Sequence, residues 1–231
     1  MTQLRKVSSE ELYQLLIKSK TINNPGKIIF NMADVNVIIN TTDTVGITLQ
    51  SWLKQWMLNN HIYFKEPNNT QEFPDFYLND NDLNNSLLEI KAFNYNISPA
   101  FDIANFESYC SSLMNNAYRL NANYLIFGYI MERGVIKIKK IWLKKIWEIS
   151  SGMKSYALRV QAKRGMIYNI RPTKWYSERS TPPFANKEAF IKAIYYTLKQ
   201  YEHTSIDEES WLDNVLKNYK LHTSTELKID L

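Results

Sequence analysis

The chain has 231 residues, of which 45% are hydrophobic and 22% charged, and its formal net charge is +5. This length and composition suit one globular domain over residues 1–231, and the positive charge favours a polyanionic partner. No apolar run is long enough to cross a membrane, no signal-peptide profile precedes the first predicted helix, and the single cysteine, Cys110, excludes an intrachain disulfide and a cysteine-based zinc site. We therefore expect a cytoplasmic protein with no membrane partner.

Hydrophobic spacing predicts the elements of the first part of the chain. In order, these are a helix at 10–19, strands at 27–30 and 35–39, a helix that begins at 43, and two strands around residues 75 and 89. The helix after residue 43 is indicated by apolar residues at helical spacing, which are Val45, Leu49, Trp52, Leu53 and Trp56. The polar segment 79–85 is predicted to be a turn between the two later strands.

The second part of the chain continues the alternation of helices and strands. In order, we expect a helix up to residue 117, strands at 123–129 and 135–142, a short helix at 143–149, one or two strands within 156–170, and helices at 186–201 and 208–218. The apolar stripe of the helix at 186–201 could form either a dimer interface or a core face. The whole order indicates an α/β fold with a mixed central sheet flanked by helices.

The most informative pattern is a Pro-Asp pair at Asp75 followed, fourteen residues after that aspartate, by an ExK motif at Glu89 and Lys91. Residues two apart in a strand point to the same face, so Glu89 and Lys91 should project together. The turn at 79–85 would return the chain so that Asp75 lies beside Glu89. Carboxylates can hold a hard cation such as Mg²⁺ through oxygen, and a lysine can orient or activate an attacking water. The pattern therefore indicates a nuclease.

The same three residues also have an ordinary explanation. Asp75 could cap a turn, while Glu89 and Lys91 could form the solvated face of an amphipathic strand. A charged pair in so apolar a segment is costly to bury unless it is paired or bound to a metal. This cost favours the active-site interpretation.

Basic residues are concentrated in the segment 137–179, where acidic residues are sparse. This could be a solvated basic face, or it could mark DNA-recognition elements at about 135–180. Five residues are candidates for DNA contacts: Gln161, Lys163, Arg164, Arg171 and Lys174. The first three flank a glycine turn and could reach base edges in the major groove, with Arg164 the first candidate. The last two are equally plausible as phosphate contacts.

The order of these motifs resembles the PD-(D/E)xK nuclease superfamily and, more narrowly, the type II restriction endonucleases. The resemblance rests on a helix containing Gln50-Ser51-Trp52-Leu53, then FPDFYL, LLEIKAF, a further helix and the strand YLIFGY. The segments 101–106, 141–149 and 163–172 are similar to a neisserial-type group of these enzymes. That group is associated with GGNNCC-type palindromes.

The resemblance implies a restriction-endonuclease-like catalytic core at about 43–130 and assigns roles to its motif residues. Asp75 and Glu89 become ligands of Mg²⁺, Ile90 adds its backbone carbonyl, and Lys91 becomes the catalytic lysine. Many members of the superfamily add an acidic or amide residue from the first core helix. Here that position is Gln50 instead of a glutamate, which leaves the number of metal ions open.

The resemblance also implies a reaction, namely Mg²⁺-dependent, site-specific hydrolysis of double-stranded DNA that leaves 5′-phosphate ends. A palindromic site implies a homodimer, and protection of the host implies a DNA methyltransferase that acts on the same site. Three alternatives stay open. The chain could be a structure-specific repair or junction nuclease, a non-catalytic DNA-binding protein with this fold, or an interaction domain in which the motifs are fortuitous.

Overall fold

The computed structural model describes residues 4–69 and 72–231, and the chain forms two compact units. Unit 1 comprises Met1–Pro99 and Asn123–Lys144, and unit 2 comprises Ala100–Ala122 and Lys145–Leu231. Two compact units can belong to a single functional domain, so one nuclease domain over residues 1–231 stays a prediction.

The helices and strands follow the predicted order closely. The helices are α1 (Ser9–Lys18), α2 (Val45–Asn59), α3 (Phe106–Asn115), α4 (Lys187–Gln200) and α5 (Glu208–Thr223). The strands are β1 (Pro25–Lys27), β2 (Ile29–Met32), β3 (Val35–Ile38), β4 (Phe76–Tyr77), β5 (Leu87–Asn94), β6 (Ala104–Asn105), β7 (Asn123–Glu132), β8 (Val135–Lys145), β9 (Val160–Lys163) and β10 (Met166–Ile170). Within the described ranges, no helix is both long and apolar enough to span a membrane.

Unit 1 is built on a five-stranded sheet with the order β1-β8-β7-β5-β4. β5 and β7 run parallel, whereas β4 is antiparallel to β5 and β1 is antiparallel to β8. The sheet is therefore mixed, as the sequence predicted. α2 packs on it through one buried stripe at helical spacing, formed by Val45, Leu49, Leu53 and Met57. These residues share the hydrophobic core of unit 1 with Leu88 and Ile90 of β5.

Unit 2 combines a three-stranded antiparallel sheet, in the order β6-β10-β9, with the helices α3, α4 and α5. The apolar stripe of α4 and the residue after it is fully buried, and it consists of Phe190, Ile194, Leu198 and Tyr201. This stripe is therefore a core face and not a dimer interface. Cys110 on α3 is also buried, and the Nε1–H of Trp211 donates a hydrogen bond to its backbone carbonyl at 2.9 Å.

The predicted short helix at 143–149 is wrong over its first part. β8 continues to Lys145, and only Ile146–Glu148 forms a single 3₁₀ turn. Ile141 is buried and Leu143 packs against the same core, so the alternation of the strand continues past residue 142. The carboxylate of Glu148 then accepts a hydrogen bond from the backbone N–H of Lys145 at 2.7 Å, which stabilises the turn.

Candidate active site

Asp75 and Glu89 lie side by side in unit 1, as the motif spacing predicted. Phe76 of β4 and Leu88 of β5 are paired in the antiparallel ladder, so the residues next to them face each other. The backbone N–H of Asp75 donates a hydrogen bond to Glu89 Oε2 at 3.2 Å. The intervening segment 79–85 returns the chain, since the N–H of Leu78 donates to the carbonyl of Ser86 at 2.9 Å.

Glu89 and Lys91 project from the same face of β5. The Lys91 Nζ lies 2.9 Å from Glu89 Oε1, and both side chains are largely buried. Ile90 points the other way, into the hydrophobic core of unit 1. The strand periodicity that predicted this arrangement is therefore confirmed, and the charged pair satisfies the requirement that buried charges be paired.

Both carboxylate oxygens of Asp75 accept hydrogen bonds. Gln50 Nε2 donates to Oδ1 at 2.8 Å, and the backbone N–H of Ile90 donates to Oδ2 at 2.7 Å. Gln50 reaches the site from α2, the helix that packs on the sheet. The structure thus brings Gln50 together with Asp75, Glu89, Ile90 and Lys91, although the residues come from three separate segments.

The ionisation of Asp75 is strongly perturbed at this site. Burial raises the pKa of its carboxyl group to about 7, and the negative charge of Glu89 adds to the increase. The Ile90 N–H, the charge of Lys91 and the Gln50 amide lower the pKa, but they offset only part of the effect. A negatively charged Asp75 is therefore unfavourable here unless further positive charge is present.

The composition of the site fits a hard divalent cation. Within the described residues, no group of three or more His, Cys, Asp and Glu side chains is placed to hold a metal. Each of the four carboxylate oxygens of Asp75 and Glu89 has one protein partner and keeps a second lone pair. Mg²⁺ typically uses one or two carboxylates and keeps its other positions for water and substrate phosphate. Asp75 and Glu89 could therefore hold such an ion.

A second charged pair next to the site was missed by sequence reasoning. A cavity of about 150 Å³ is lined by residues that include Gln50, Asp75, Lys54 and Glu66. The Lys54 Nζ lies 2.5 Å from Glu66 Oε1. Lys54 follows Gln50 by four residues and so shares its helix face, which is a signal that the sequence did contain. Glu66 lies in a loop and had no comparable signal.

The residues predicted to contact DNA lie in unit 2. The turn between β9 and β10 is formed by Arg164 and Gly165, which both have positive φ values of 54° and 81°, and residues 161–166 are all exposed. The predicted glycine turn is thus confirmed. Arg171 forms an ion pair with Asp102, and the Lys174 Nζ lies 5.6 Å from the centre of the Tyr176 ring. The role of these residues in DNA binding stays a prediction.

Comparisons with known proteins identify the family of this chain. Residues 6–231 match the family model described as NgoBV restriction endonuclease. The chain belongs to this family. It is 38% identical to the type II restriction enzyme NlaIV of Neisseria lactamica over 228 residues, which cover 97% of this chain and 94% of that protein. It is 36% identical to the type II restriction enzyme NgoBV of Neisseria gonorrhoeae over 161 residues, or 69% and 91% of the two chains.

The fold of the chain is also that of a solved member of this class. The structure of NlaIV restriction endonuclease matches with a TM-score of 0.92 and 37% identity, covering all of this chain and 95% of that one. The resemblance to type II restriction endonucleases and the α/β fold with a mixed sheet are therefore confirmed. The chain is a restriction endonuclease by family.

Proposed function

We propose that this chain hydrolyses double-stranded DNA at a specific site in an Mg²⁺-dependent reaction that leaves 5′-phosphate ends. One observation carries the proposal: the Asp75 N–H contacts the Glu89 carboxylate, and the same carboxylate contacts the Lys91 ammonium group, at β5 of the unit 1 sheet. Two acids and a lysine in this arrangement suit phosphodiester hydrolysis. Membership of a restriction endonuclease family supports DNA as the substrate.

The metal ligands in this proposal are Asp75, Glu89 and the backbone carbonyl of Ile90. When bound, Mg²⁺ supplies positive charge that polarises the scissile phosphate and makes an attacking water more acidic. Asp75 is held in place by Gln50 and the Ile90 N–H, so its carboxylate needs little reorganisation to bind the ion. Glu89 is held in the same way by the Asp75 N–H and by Lys91.

Lys91 acts on the water and on the phosphate. Its ammonium group lies beside Glu89 and supplies a positive charge at the site. From this position it orients the attacking water, and it offsets the negative charge that develops on the phosphate. Gln50 positions Asp75 and is not itself placed to exchange a proton.

DNA recognition in this proposal uses the exposed β9–β10 hairpin of unit 2. Arg164 and Lys163 would read guanine edges, Gln161 would read adenine, and Arg171 and Lys174 would contact phosphates. The similarity to a group associated with GGNNCC-type palindromes makes that class of site the first one to test. A palindrome further implies a homodimer and a methyltransferase that protects the same site.

The proposal is tested by digestion of unmethylated phage DNA with Mg²⁺ beside an EDTA control. Discrete Mg²⁺-dependent fragments are expected from the wild-type chain, and end-sequencing would give the site and the end chemistry. Glu89→Gln and Lys91→Met should abolish cutting while DNA binding persists. Glu132→Gln and Lys18→Met, two exposed residues of unit 1, serve as matched controls and should cut normally.

Other outcomes of the same digestion would select another function. A smear, or nicking without fixed positions, would indicate a repair or junction nuclease. DNA binding without any cutting would indicate a non-catalytic DNA-binding protein. Normal turnover by Glu89→Gln or Lys91→Met would exclude the proposed active site.

A further inference from the structure

The β2–β3 hairpin exposes a continuous apolar surface. Phe30 pairs with Val37 and Met32 pairs with Val35 in its antiparallel ladder, so these four side chains share one face of the hairpin. Their exposed fractions are 53%, 44%, 66% and 61%. We call these four residues the β2–β3 apolar face. Isolated exposed apolar residues are ordinary, but a contiguous set on one face marks an interaction site.

The hairpin is held to unit 1 at its base. The N–H of Ile39 donates to the carbonyl of Ile28 at 3.0 Å, and Ile28 packs against the hydrophobic core. The tight turn between β7 and β8 also packs closely against the base of the hairpin. A Cβ added at Gly134 in this turn would overlap the side chains of Ile38 and Asn40. A two-stranded hairpin has little stability of its own, so covering its apolar face would stabilise it.

Charge and area indicate what covers this face. The only charged residue between 28 and 39 is Asp34, at the tip of the hairpin, so the face offers no cation for a DNA phosphate. Its four residues are 44% to 66% exposed, so the face would supply one part of the roughly 800 Å² that each partner buries in a standard protein–protein complex. An uncharged apolar face of this size suits another uncharged apolar face.

We propose that the β2–β3 apolar face packs against the same face of a second copy of this chain, across a two-fold axis. This inference rests on the proposed function, because two identical subunits related by two-fold symmetry match the symmetry of a palindrome and can each cut one strand. Such an interface is isologous, so each surface must complement itself, and a face without charges does so. The α4 stripe does not compete for this role, since it is buried in unit 2.

Sedimentation equilibrium of the full chain tests the interface. The wild type should be a dimer, and Phe30→Asp should raise the dimer dissociation constant at least about 100-fold, because it places two like charges in an apolar contact. Leu221→Asp, at an α5 residue that is 74% exposed, is the matched control and should sediment as the wild type does. Met32→Thr is a milder second variant for which folding is not at risk, and it should weaken the dimer at least about tenfold.

Several results would overturn the inference. A wild type that stays monomeric at all concentrations would do so, as would Phe30→Asp and Met32→Thr proteins that dimerise as the wild type does. A loss of DNA affinity in these variants with dimerisation unchanged would identify DNA as the occupant instead.

Plasmid cleavage by the same proteins separates this inference from the proposed function. If the wild type linearises a supercoiled plasmid but its dimer is insensitive to Phe30→Asp, the interface is wrong and the proposed function stands. If Phe30→Asp abolishes dimerisation but the wild type never cuts, the interface stands and the proposed function is wrong. If the interface and the proposed function are both correct, the Phe30→Asp protein should no longer cut both strands of the plasmid, and its only product should be nicked circles.

Discussion

The backbone N–H of Asp75 donates a hydrogen bond to Glu89 Oε2 over 3.2 Å, which joins the two acidic motifs of the chain directly. The consequence is electrostatic, because the contact holds two carboxyl groups close together in a partly buried site. Burial and the charge of Glu89 together raise the pKa of Asp75 to about 7. Its ionisation should therefore govern how the site responds to pH and to cations.

Metal binding should depend on pH near neutrality. Because a metal ligand must be deprotonated, a proton on Asp75 competes with the ion. We expect the apparent affinity for Mg²⁺ to rise about tenfold per pH unit up to about pH 7 and to level off above it. Isothermal titration calorimetry of the wild-type chain from pH 5.5 to 8.5 measures this. An affinity that does not change between pH 5.5 and 7 would show that Asp75 is not a ligand or is already ionised.

Stability without metal should fall as the pH rises. The pKa of Asp75 is raised from 3.8 in an unfolded chain to about 7 in the folded one, so the folded state binds more protons in this window. The stabilisation is complete below about pH 4 and is lost as the pH approaches 7. Three pKa units correspond to at most about 4 kcal/mol.

This pH effect is measured by urea unfolding in EDTA at pH 5 and pH 8. Relative to the wild type, Asp75→Asn should be more favourable at pH 8 than at pH 5 by up to about 3 kcal/mol, because about two pH units separate pH 5 from the folded-state pKa. The test is how much the effect of Asp75→Asn on the unfolding free energy changes between pH 5 and pH 8. The loss of a hydrogen-bond acceptor contributes equally at the two pH values and therefore cancels. Glu132→Gln controls for the removal of an exposed charge, and a pH-independent effect of Asp75→Asn would contradict the prediction.

Gln50 should act as a positioning residue. Gln50→Leu removes the hydrogen bond to Asp75 Oδ1, so we expect a loss of about 1 kcal/mol in unfolding free energy and a slower single-turnover cleavage rate, with DNA affinity unchanged. Gln55→Leu is the matched control, because Gln55 is an exposed residue of the same helix. Restoration of the rate by Gln50→Asn, which keeps an amide donor, would support positioning, whereas a rate unaffected by Gln50→Leu would exclude it.

Arg164 should read a base and not only a phosphate. Arg164→Glu is expected to cost about 1–3 kcal/mol more in binding to the cognate site than to random DNA, because a lost guanine contact affects only the cognate complex. The chain offers a close control in Arg133, which also precedes a glycine in a tight turn and has a positive φ. Competition binding in EDTA measures both variants. Equal losses on cognate and random DNA would make Arg164 a phosphate contact.

Two glycines should respond in opposite directions to alanine. A Cβ at Gly128 would lie 2.8 Å from the Trp142 ring, so Gly128→Ala should lower the unfolding free energy by about 1–3 kcal/mol through overpacking. Gly46, in the first turn of α2, has no atom within 4 Å of an added Cβ. Gly46→Ala should therefore raise the unfolding free energy by up to about 1 kcal/mol. Urea unfolding of both variants measures these changes, and a stabilising Gly128→Ala would contradict the packing of the sheet.

Features that depend on local periodicity and turn chemistry could be predicted from the residues alone. The alternation in β5 places Glu89 and Lys91 on one face whatever surrounds the strand, because the period of a strand is two. The polar segment 79–85 and the Arg164-Gly165 pair are turns for equally local reasons. The motifs and their order also indicated the nuclease superfamily, and the segments 101–106, 141–149 and 163–172 indicated the narrower group.

Which distant groups meet, and which surfaces are covered, depends on how the elements pack together. Gln50 reaches Asp75 because α2 packs on the sheet, and Glu66 reaches Lys54 through a loop without a local signal. The apolar stripe of α4 is buried, whereas the β2–β3 apolar face is exposed. Both consist of apolar residues, so the sequence alone does not distinguish the buried set from the exposed one. The burial and desolvation of a side chain depend on all the residues packed around it, and most of these are distant in the chain. For the same reason, the raised pKa of Asp75 could not be inferred from the residues beside it in the chain.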